Sequence, residues 1–246
     1  LNAYEIAKNH PVDIGVVADP KATLTLLIAA LEAQLSDEQI AAAHARTDTI
    51  IEAKAAQLAD QMEADRAVRD NTPVQMSRFA EELAAQLQDH EDVILFDEAL
   101  TSSPALVRYL PPEKTGKYFL TRGGSLGVGI PGAIGVKLAN PESTVIGLTG
   151  DGGSMYTIQA LWTAARHNIN AKFVICNNAS YRLLQLNVEQ YWSELGIPAH
   201  DYPLSFDLSH PPLHFVEMAR GMGVQGIRVE KPWEVKPAIE QMLAHP

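Results

Sequence analysis

Two apolar runs set the frame for this chain. Thr144-Val145-Ile146-Gly147-Leu148 and Lys172-Phe173-Val174-Ile175-Cys176 flank a stretch in which Ile158, Leu161, Trp162 and Ala165 recur at helical spacing. Strand, helix and strand in this length make a βαβ unit, and its crossover forces the two strands to run parallel and side by side. The first strand ends in Thr149-Gly150-Asp151-Gly152-Gly153-Ser154 and the second in Asn177-Asn178. Asp151 and Asn178 therefore sit past the carboxyl ends of neighbouring strands, ~5 Å apart across the sheet. An open α/β sheet binds its ligands at that edge.

The residue types suit an anion and a small cation. Glycines let backbone N–H groups come close to a diphosphate, and the following helix points the positive end of its dipole the same way. One carboxylate and one amide oxygen suit an octahedral cation such as Mg2+ that also takes phosphate oxygens and water. The blander reading is a Gly-Asp-Gly turn that closes a strand and an Asn that caps a loop. Either motif alone leaves the two readings level; together, with the right elements between them, they favour the site.

The 246 residues, 46% of them hydrophobic, suffice for one large or two modest cores. Asp and Glu outnumber Lys and Arg by 30 to 19, a net charge of −11 with no basic cluster, which argues against nucleic acid and anionic membrane as partners. The single cysteine, Cys176, lies within an apolar strand, reads as a core side chain and fits a reducing cytoplasm. There is no run long enough to span a bilayer and no signal peptide at the start of the sequence. The abrupt start at Leu1, without Met, and the close at Pro246 suggest a fragment.

Along the chain, residues 13–18 read as a buried strand, and Asp19-Pro20 opens a helix with Leu24, Leu27, Ala30 and Leu31 on one face. Ser36 and Gln39 form a capping box for one or two helices reaching to about residue 68. Thr72-Pro73 starts the next unit: a helix bearing Met76, Phe79, Leu83 and Leu87, then a strand at Val93-Ile94-Leu95-Phe96 ending in Asp97-Glu98. After Asn178 a helix begins near Tyr181, a long proline-bearing loop covers residues 196–214, and Phe215, Met218 and Ala219 mark another helix. Residues 224–229 read as a strand and 233–243 as a last helix. His200, His210 and His214 in the long loop match no metal-ligand spacing. The alternation predicts an α/β fold, a doubly wound parallel sheet with helices on both faces, over residues 73–246.

Residues 123–132 carry two readings. Gly127, Gly129 and Gly132 fit G-x-G-x-x-G, which would make a nucleotide-binding oxidoreductase if the motif followed a buried strand. The preceding Lys117 to Arg122 is a mediocre strand. The favoured reading is that these small residues let a helix over 129–139 pack closely, with Leu126 presented from the loop beneath something bound.

Gly150-Asp151-Gly152, with Asn177-Asn178 at the right interval, resembles the signature of thiamine diphosphate-dependent enzymes. The Gly124-Ser125-Leu126-Gly127 loop, and Ala160 to Ala165 followed by Asn168-Ile169, are most similar to benzoylformate decarboxylase and its relatives, among them acetolactate synthase and the oxalyl-CoA and 2-hydroxyacyl-CoA lyases. The resemblance covers nearly all of residues 73–246. It implies three segments: 1–35 as the end of a middle domain, with Glu5-Ile6 before a strand and Asp19-Pro20 after it; 36–72 as a helical linker; and 73–246 as the thiamine diphosphate-binding domain.

Carried over by position, the resemblance implies that Asp151, the side chain of Asn178 and the backbone carbonyl of Ser180 bind Mg2+. Gly152 and Gly153 would hold the diphosphate, with Ser154 and Tyr156 nearby and Tyr181 over the same edge. Leu100 and Thr101 fall where the family's first loop touches phosphate. Gly124 would support the aminopyrimidine through its backbone, and Leu126 would be the wedge that bends the cofactor. Leu183, Leu184 and Asn187 follow the metal loop where the family lines its substrate pocket, though leucines at this spacing are more often core.

One departure matters. In this family a glutamate from an N-terminal pyrimidine-binding domain, usually on a second subunit, starts the cofactor's chemistry. No such domain is recognisable in this sequence, and Glu98, on the phosphate side, is not assigned that role. The chain alone is therefore expected to bind cofactor weakly, if at all, and to be inactive. The longer protein is expected to be a cytoplasmic homodimer or homotetramer that decarboxylates a 2-oxoacid, with acetolactate synthase-like carboligation or acyl-CoA cleavage as the runner-up. A third possibility is a module that only binds cofactor within an assembly.

Overall fold

The computed structural model describes Ile6 and residues 8–245; Glu5 falls outside them. Contacts divide the chain into two units, Leu1–Gln61 and Met62–Pro246.

The first unit is helical. Helix α1 (Pro20–Gln34) starts where Pro20 meets the helix φ and Asp19 Oδ1 accepts from the Ala22 N–H at 2.8 Å. Helix α2 (Asp37–Val68), which ends in the second unit, starts at the expected capping box: Gln39 Oε1 accepts from the Ser36 N–H at 2.9 Å and Ser36 Oγ from the Gln39 N–H at 3.3 Å. Neither helix buries a residue. The strand expected over residues 13–18 does not form. Apolar composition alone cannot make a strand; its N–H and C=O groups need a ladder partner, and among the described residues none pairs with this segment.

In the second unit the chain alternates as predicted. Helix α3 (Met76–Gln86) leads into β1 (Val93–Glu98), then α4 (Ser103–Tyr109), β2 (Tyr118–Leu120), α5 (Gly129–Ala139) and β3 (Thr144–Gly150). The short α6 (Asp151–Ser154), α7 (Ala160–Arg166), β4 (Lys172–Cys176), α8 (Arg182–Leu195), α9 (Phe215–Gly221) and α10 (Pro232–Ala244) follow. The four strands are parallel in the order β2-β1-β3-β4.

The two-residue period of the strands sends alternate side chains to opposite faces. Leu95, Ile146 and Leu148 pack with Leu83 of α3, Leu106 of α4, and Val235 and Ile239 of α10. Their neighbours Ile94 and Val145 pack with Ala133 of α5. Ile130 and Ile134 of α5 join Leu161 of α7 and Ala219 of α9 on that face. Both faces are covered, so the sheet is doubly wound and its ligand edge lies at the carboxyl ends of β1, β3 and β4.

Two expectations need correction. The helix expected between β3 and β4 is broken: Tyr156 N–H reaches Gly153 O at 3.2 Å and Thr157 N–H reaches Ser154 O at 3.1 Å, three-residue steps that end α6 before α7 begins. Ile158, Leu161 and Ala164 face the core, whereas Trp162 is exposed, with the Arg166 guanidinium 5.2 Å from its ring centre. Residues 224–229 form no strand. They and β4 line a cavity of about 1020 Å3, and the segment has no ladder to β4.

Candidate cofactor and metal site

The registers of the sheet bring three strand ends level. Glu98 pairs with Thr149 across β1 and β3, and Gly150 pairs with Cys176 across β3 and β4. Asp151 and Asn178 are thereby brought together: the Asn178 N–H donates to Asp151 Oδ2 at 3.1 Å, and the Gly152 N–H donates to Oδ1 at 2.8 Å. Asp151 is 3% exposed. Burial pushes its carboxyl above the ordinary carboxylate range, and backbone N–H groups of Gly152, Ala179, Ser180 and Asn178 pull the other way.

The Asn178 to Ser180 loop is tightly turned. Asn178 Oδ1 accepts from the Ser180 N–H at 2.9 Å, and Ala179 holds a left-handed φ of 57° without being glycine. The long loop expected to matter folds back on this turn: Tyr181 N–H donates to Phe206 O at 3.0 Å, and Leu208 N–H to Ala179 O at 2.9 Å. The histidines of that loop join no group of three or more His, Cys, Asp or Glu that could hold a metal among the described residues.

At the end of β1, Leu100 also holds a left-handed φ, 50°, and opens a 3-10 turn over Leu100–Ser102. Asp97, fully buried, anchors this turn by accepting from the Ala99 N–H at 2.8 Å, Ser103 Oγ at 2.9 Å and Tyr118 Oη at 2.6 Å. Leu100 and Thr101 are thus held at the same sheet edge as Asp151.

The loop before α5 supplies the adjoining wall. Gly123 and Gly124, with φ of 64° and 69°, make a tight turn closed by Ser125 N–H on Arg122 O at 3.2 Å, a conformation that a Cβ would strain. The half-buried Leu126 follows. Gly127, Gly129 and Gly132 do come after a strand and open a helix, but β2 is a three-residue edge strand. The N–H groups of Gly127 and Gly129 both donate to the Glu98 carboxylate, so an internal anion occupies the place a dinucleotide's phosphates would need. Gly132 instead lies against the Phe96 ring, the close packing expected of α5.

The remaining predicted residues divide by what their side chains do. Ser154 is buried and its hydroxyl donates to Asp151 O at 2.7 Å, which leaves it closing the α6 turn. Gly152 lies directly beneath the Tyr181 ring, leaving no room for a Cβ, and Gly153 lies against Glu98 and Thr149. Tyr156 is 60% exposed beside Gly127. Leu183 and Leu184 are 39% and 42% exposed, and Asn187 is exposed as well, so the leucines are not core here. Glu98, weighed above only as the glutamate that starts the chemistry and declined for it, has a role that was missed: it holds the loop before α5. Its signal was available: a glycine-rich run of N–H groups needs an anion, and the acid at the end of β1 is level with it.

The donors fit a divalent cation with a diphosphate. One buried carboxylate, one amide oxygen and one backbone carbonyl are hard oxygen ligands, few enough to leave positions for phosphate oxygens and water. The Ser180 hydroxyl is buried without a partner in the same loop, so a polar group there awaits an acceptor or donor.

Residues 101–246 match the family model described as thiamine pyrophosphate enzyme, C-terminal TPP binding domain. The chain is 34% identical over 153 residues to a benzoylformate decarboxylase of Pseudomonas aeruginosa, covering 62% of this chain and 27% of that protein. It is 30% identical over 132 residues to an acetolactate synthase large subunit of Cyanidium caldarium, covering 53% of this chain and 21% of the relative. The solved structure of a thiamine diphosphate-dependent 4-hydroxybenzoylformate decarboxylase from Rhodococcus jostii RHA1 superposes with a TM-score of 0.62 at 30% identity, over 71% of this chain and 31% of that one. The chain spans less than a third of the length of each. No helix among the described residues is long and apolar enough to cross a membrane.

Proposed function

The chain belongs to the thiamine pyrophosphate-dependent enzymes through their C-terminal TPP-binding domain, and from that premise we propose that it is the diphosphate- and Mg2+-binding part of a 2-oxoacid decarboxylase. The observation that carries this reading is the buried Asp151 carboxylate joined to the Asn178 loop at the carboxyl edge of β3 and β4. Asp151, Asn178 Oδ1 and the Ser180 carbonyl would hold Mg2+. Backbone groups of Gly152 and Gly153 would face the diphosphate, and Leu100 and Thr101 would close its far side. Thiamine diphosphate supplies an electron sink for the carbanion released when a carbon–carbon bond beside a carbonyl is broken. What this chain would contribute is placement: the Gly124 carbonyl and Leu126 side chain would fix the organic half of the cofactor.

The glutamate that starts the chemistry is proposed to come from a pyrimidine-binding domain of a second subunit, in a cytoplasmic homodimer or homotetramer. Leu183, Leu184 and Asn187, exposed on α8, would then meet the substrate beside that partner. Likeness to an acetolactate synthase keeps carboligation as a second reading of the same site.

Titration of the longer protein with thiamine diphosphate and Mg2+, wild type against Asp151→Ala, tests the reading. Metal-dependent binding should disappear in the variant, and nicotinamide nucleotides should bind neither form. Metal-dependent binding that survives Asp151→Ala would overturn the assignment. The chain mixed with a 2-oxoacid, cofactor and Mg2+ should release no product, and measurable decarboxylation would sink the need for a second subunit's glutamate.

A further inference from the structure

We propose that Glu98 and Thr157 are positioning residues that clamp the Leu126 loop as a rigid wall for the organic half of the cofactor; this rests on the thiamine diphosphate reading above. Three observations carry it. Glu98 is 1% exposed and makes no ion pair among the described residues. A buried carboxylate without a cation is costly, so its hydrogen bonds indicate what it is kept for. They go to the backbone N–H groups of Gly127 and Gly129, the residues that follow Leu126.

The same residue is held from its other side as well. Thr157 Oγ1 donates to Gly127 O at 2.6 Å, so Gly127 is gripped through its N–H by β1 and through its C=O by the turn after α6. One residue before Leu126, Thr121 Oγ1 donates to Ser125 O at 2.7 Å. Leu126 therefore stands between two fixed peptides. No Cβ fits at Gly127, where it would lie 2.6 Å from Tyr156 Cβ, or at Gly129, where it would lie 2.8 Å from Glu98 Oε2. The glycines are what let the clamp close. An apolar wedge works only if it cannot recoil, because bending a bound molecule requires a support stiffer than the molecule.

A clamp of this kind acts on the organic half of the cofactor and leaves the diphosphate alone, and this sets the test. Glu98→Gln offers one acceptor oxygen where the carboxylate offered two, and its NH2 group faces an N–H donor. Thr157→Val removes the hydroxyl while keeping the shape, and Thr157→Ser restores it. Affinities for thiamine diphosphate and for inorganic diphosphate, each with Mg2+, are measured on the longer protein. Glu98→Gln should weaken thiamine diphosphate about tenfold, the scale of a lost charge-assisted hydrogen bond, and Thr157→Val about fivefold, the scale of a neutral one, while each changes inorganic diphosphate by less than about twofold.

Thr157→Ser should recover the loss, and Glu98→Gln added to Leu126→Ala should cost little beyond Leu126→Ala alone, since the two act through one wall. Amide hydrogen exchange supplies a readout independent of ligand: in Glu98→Gln the Gly127 and Gly129 amides should exchange faster while those of Ile146 and Leu148 keep their protection. Equal weakening of both ligands, unchanged exchange at Gly127 and Gly129, or a wild type that does not prefer thiamine diphosphate to diphosphate would overturn the clamp. Asp151→Ala retaining full affinity for both ligands would instead overturn the thiamine diphosphate reading itself.

Discussion

The Asn178 N–H donates to Asp151 Oδ2 at 3.1 Å across 27 residues of chain, tying the turn after β3 to the turn after β4. The contact follows from topology. A parallel βαβ unit puts its two strand ends side by side, and the register of Gly150 with Cys176 sets the residues just beyond them face to face. The carboxylate is thus both a proposed metal ligand and the acceptor that holds the second loop in place.

Removing that acceptor should be felt before any ligand is added. Asp151→Ala leaves the buried Gly152 N–H and the part-buried Asn178 N–H without their partner, which costs ~1–3 kcal/mol. Asp151→Asn keeps one acceptor oxygen and should cost less than about 1 kcal/mol, while still losing metal-dependent cofactor binding. Urea unfolding of the two variants separates these roles; equal destabilisation would show that a side chain of the same shape with one acceptor oxygen cannot stand in for the carboxylate.

Gly152 is required for a different reason from the one its motif suggests. Its backbone lies against the Tyr181 ring, so Gly152→Ala must push the ring aside or shift α6, an overpacking cost of ~1–3 kcal/mol. Tyr181→Ala in the same chain opens the space, and the double variant should be more stable than Tyr181→Ala plus Gly152→Ala taken additively. Thermal melts of the four chains check this, and strict additivity would contradict it.

Cys176 should be a poor nucleophile. Burial, with the nearby Asp97 charge, pushes its thiol from an ordinary 9.0 up to about 12. At pH 8 the thiolate fraction is then about one in ten thousand against about one in ten for a free thiol; a thiolate of higher pKa is the better nucleophile, which offsets part of this, so ionisation alone should slow native reaction with a disulfide reagent by roughly fiftyfold. Unfolding in urea should release it at once. Reaction of the native chain at the rate of a free thiol would refute the shift.

How much of this was legible in the sequence depends on which interaction decides each element. Asp151 and Asn178 could be brought together without coordinates because chain direction and crossover rules leave one arrangement. The packing of α5 was equally readable, since Gly129 and Gly132 announce close contacts that are now Thr149, Glu98 and Phe96. Pairing was not readable. Residues 13–18 and 224–229 are apolar enough for strands, but what makes a strand is the neighbour that accepts its hydrogen bonds, and apolarity does not name one. Glu98 was half legible: a glycine-rich run of N–H groups calls for an anion, but an acid at a strand end is usually solvated, and the fold is what turns that distant loop onto this one.

Glu98 should also write itself into the pH dependence of stability. Burial raises its carboxyl above the ordinary 4.5, against the pull of the Gly127, Gly129 and Val128 N–H groups and with a further push from Asp97. Between the ordinary value and the raised one, the folded chain holds a proton that the unfolded chain has lost, so unfolding releases it and this group's contribution to stability falls as pH rises through that window. Above the raised value the contribution is level. Glu98→Gln cannot titrate, so the stability of the variant relative to wild type should climb with pH across the window and then flatten. Asp151, raised by burial in the same direction, is present in both chains and cancels in the difference. Urea unfolding at a series of pH values gives the difference directly, and a relative stability that stays level or falls through the window would mean that Glu98 is ionised in the folded chain as readily as in the unfolded one.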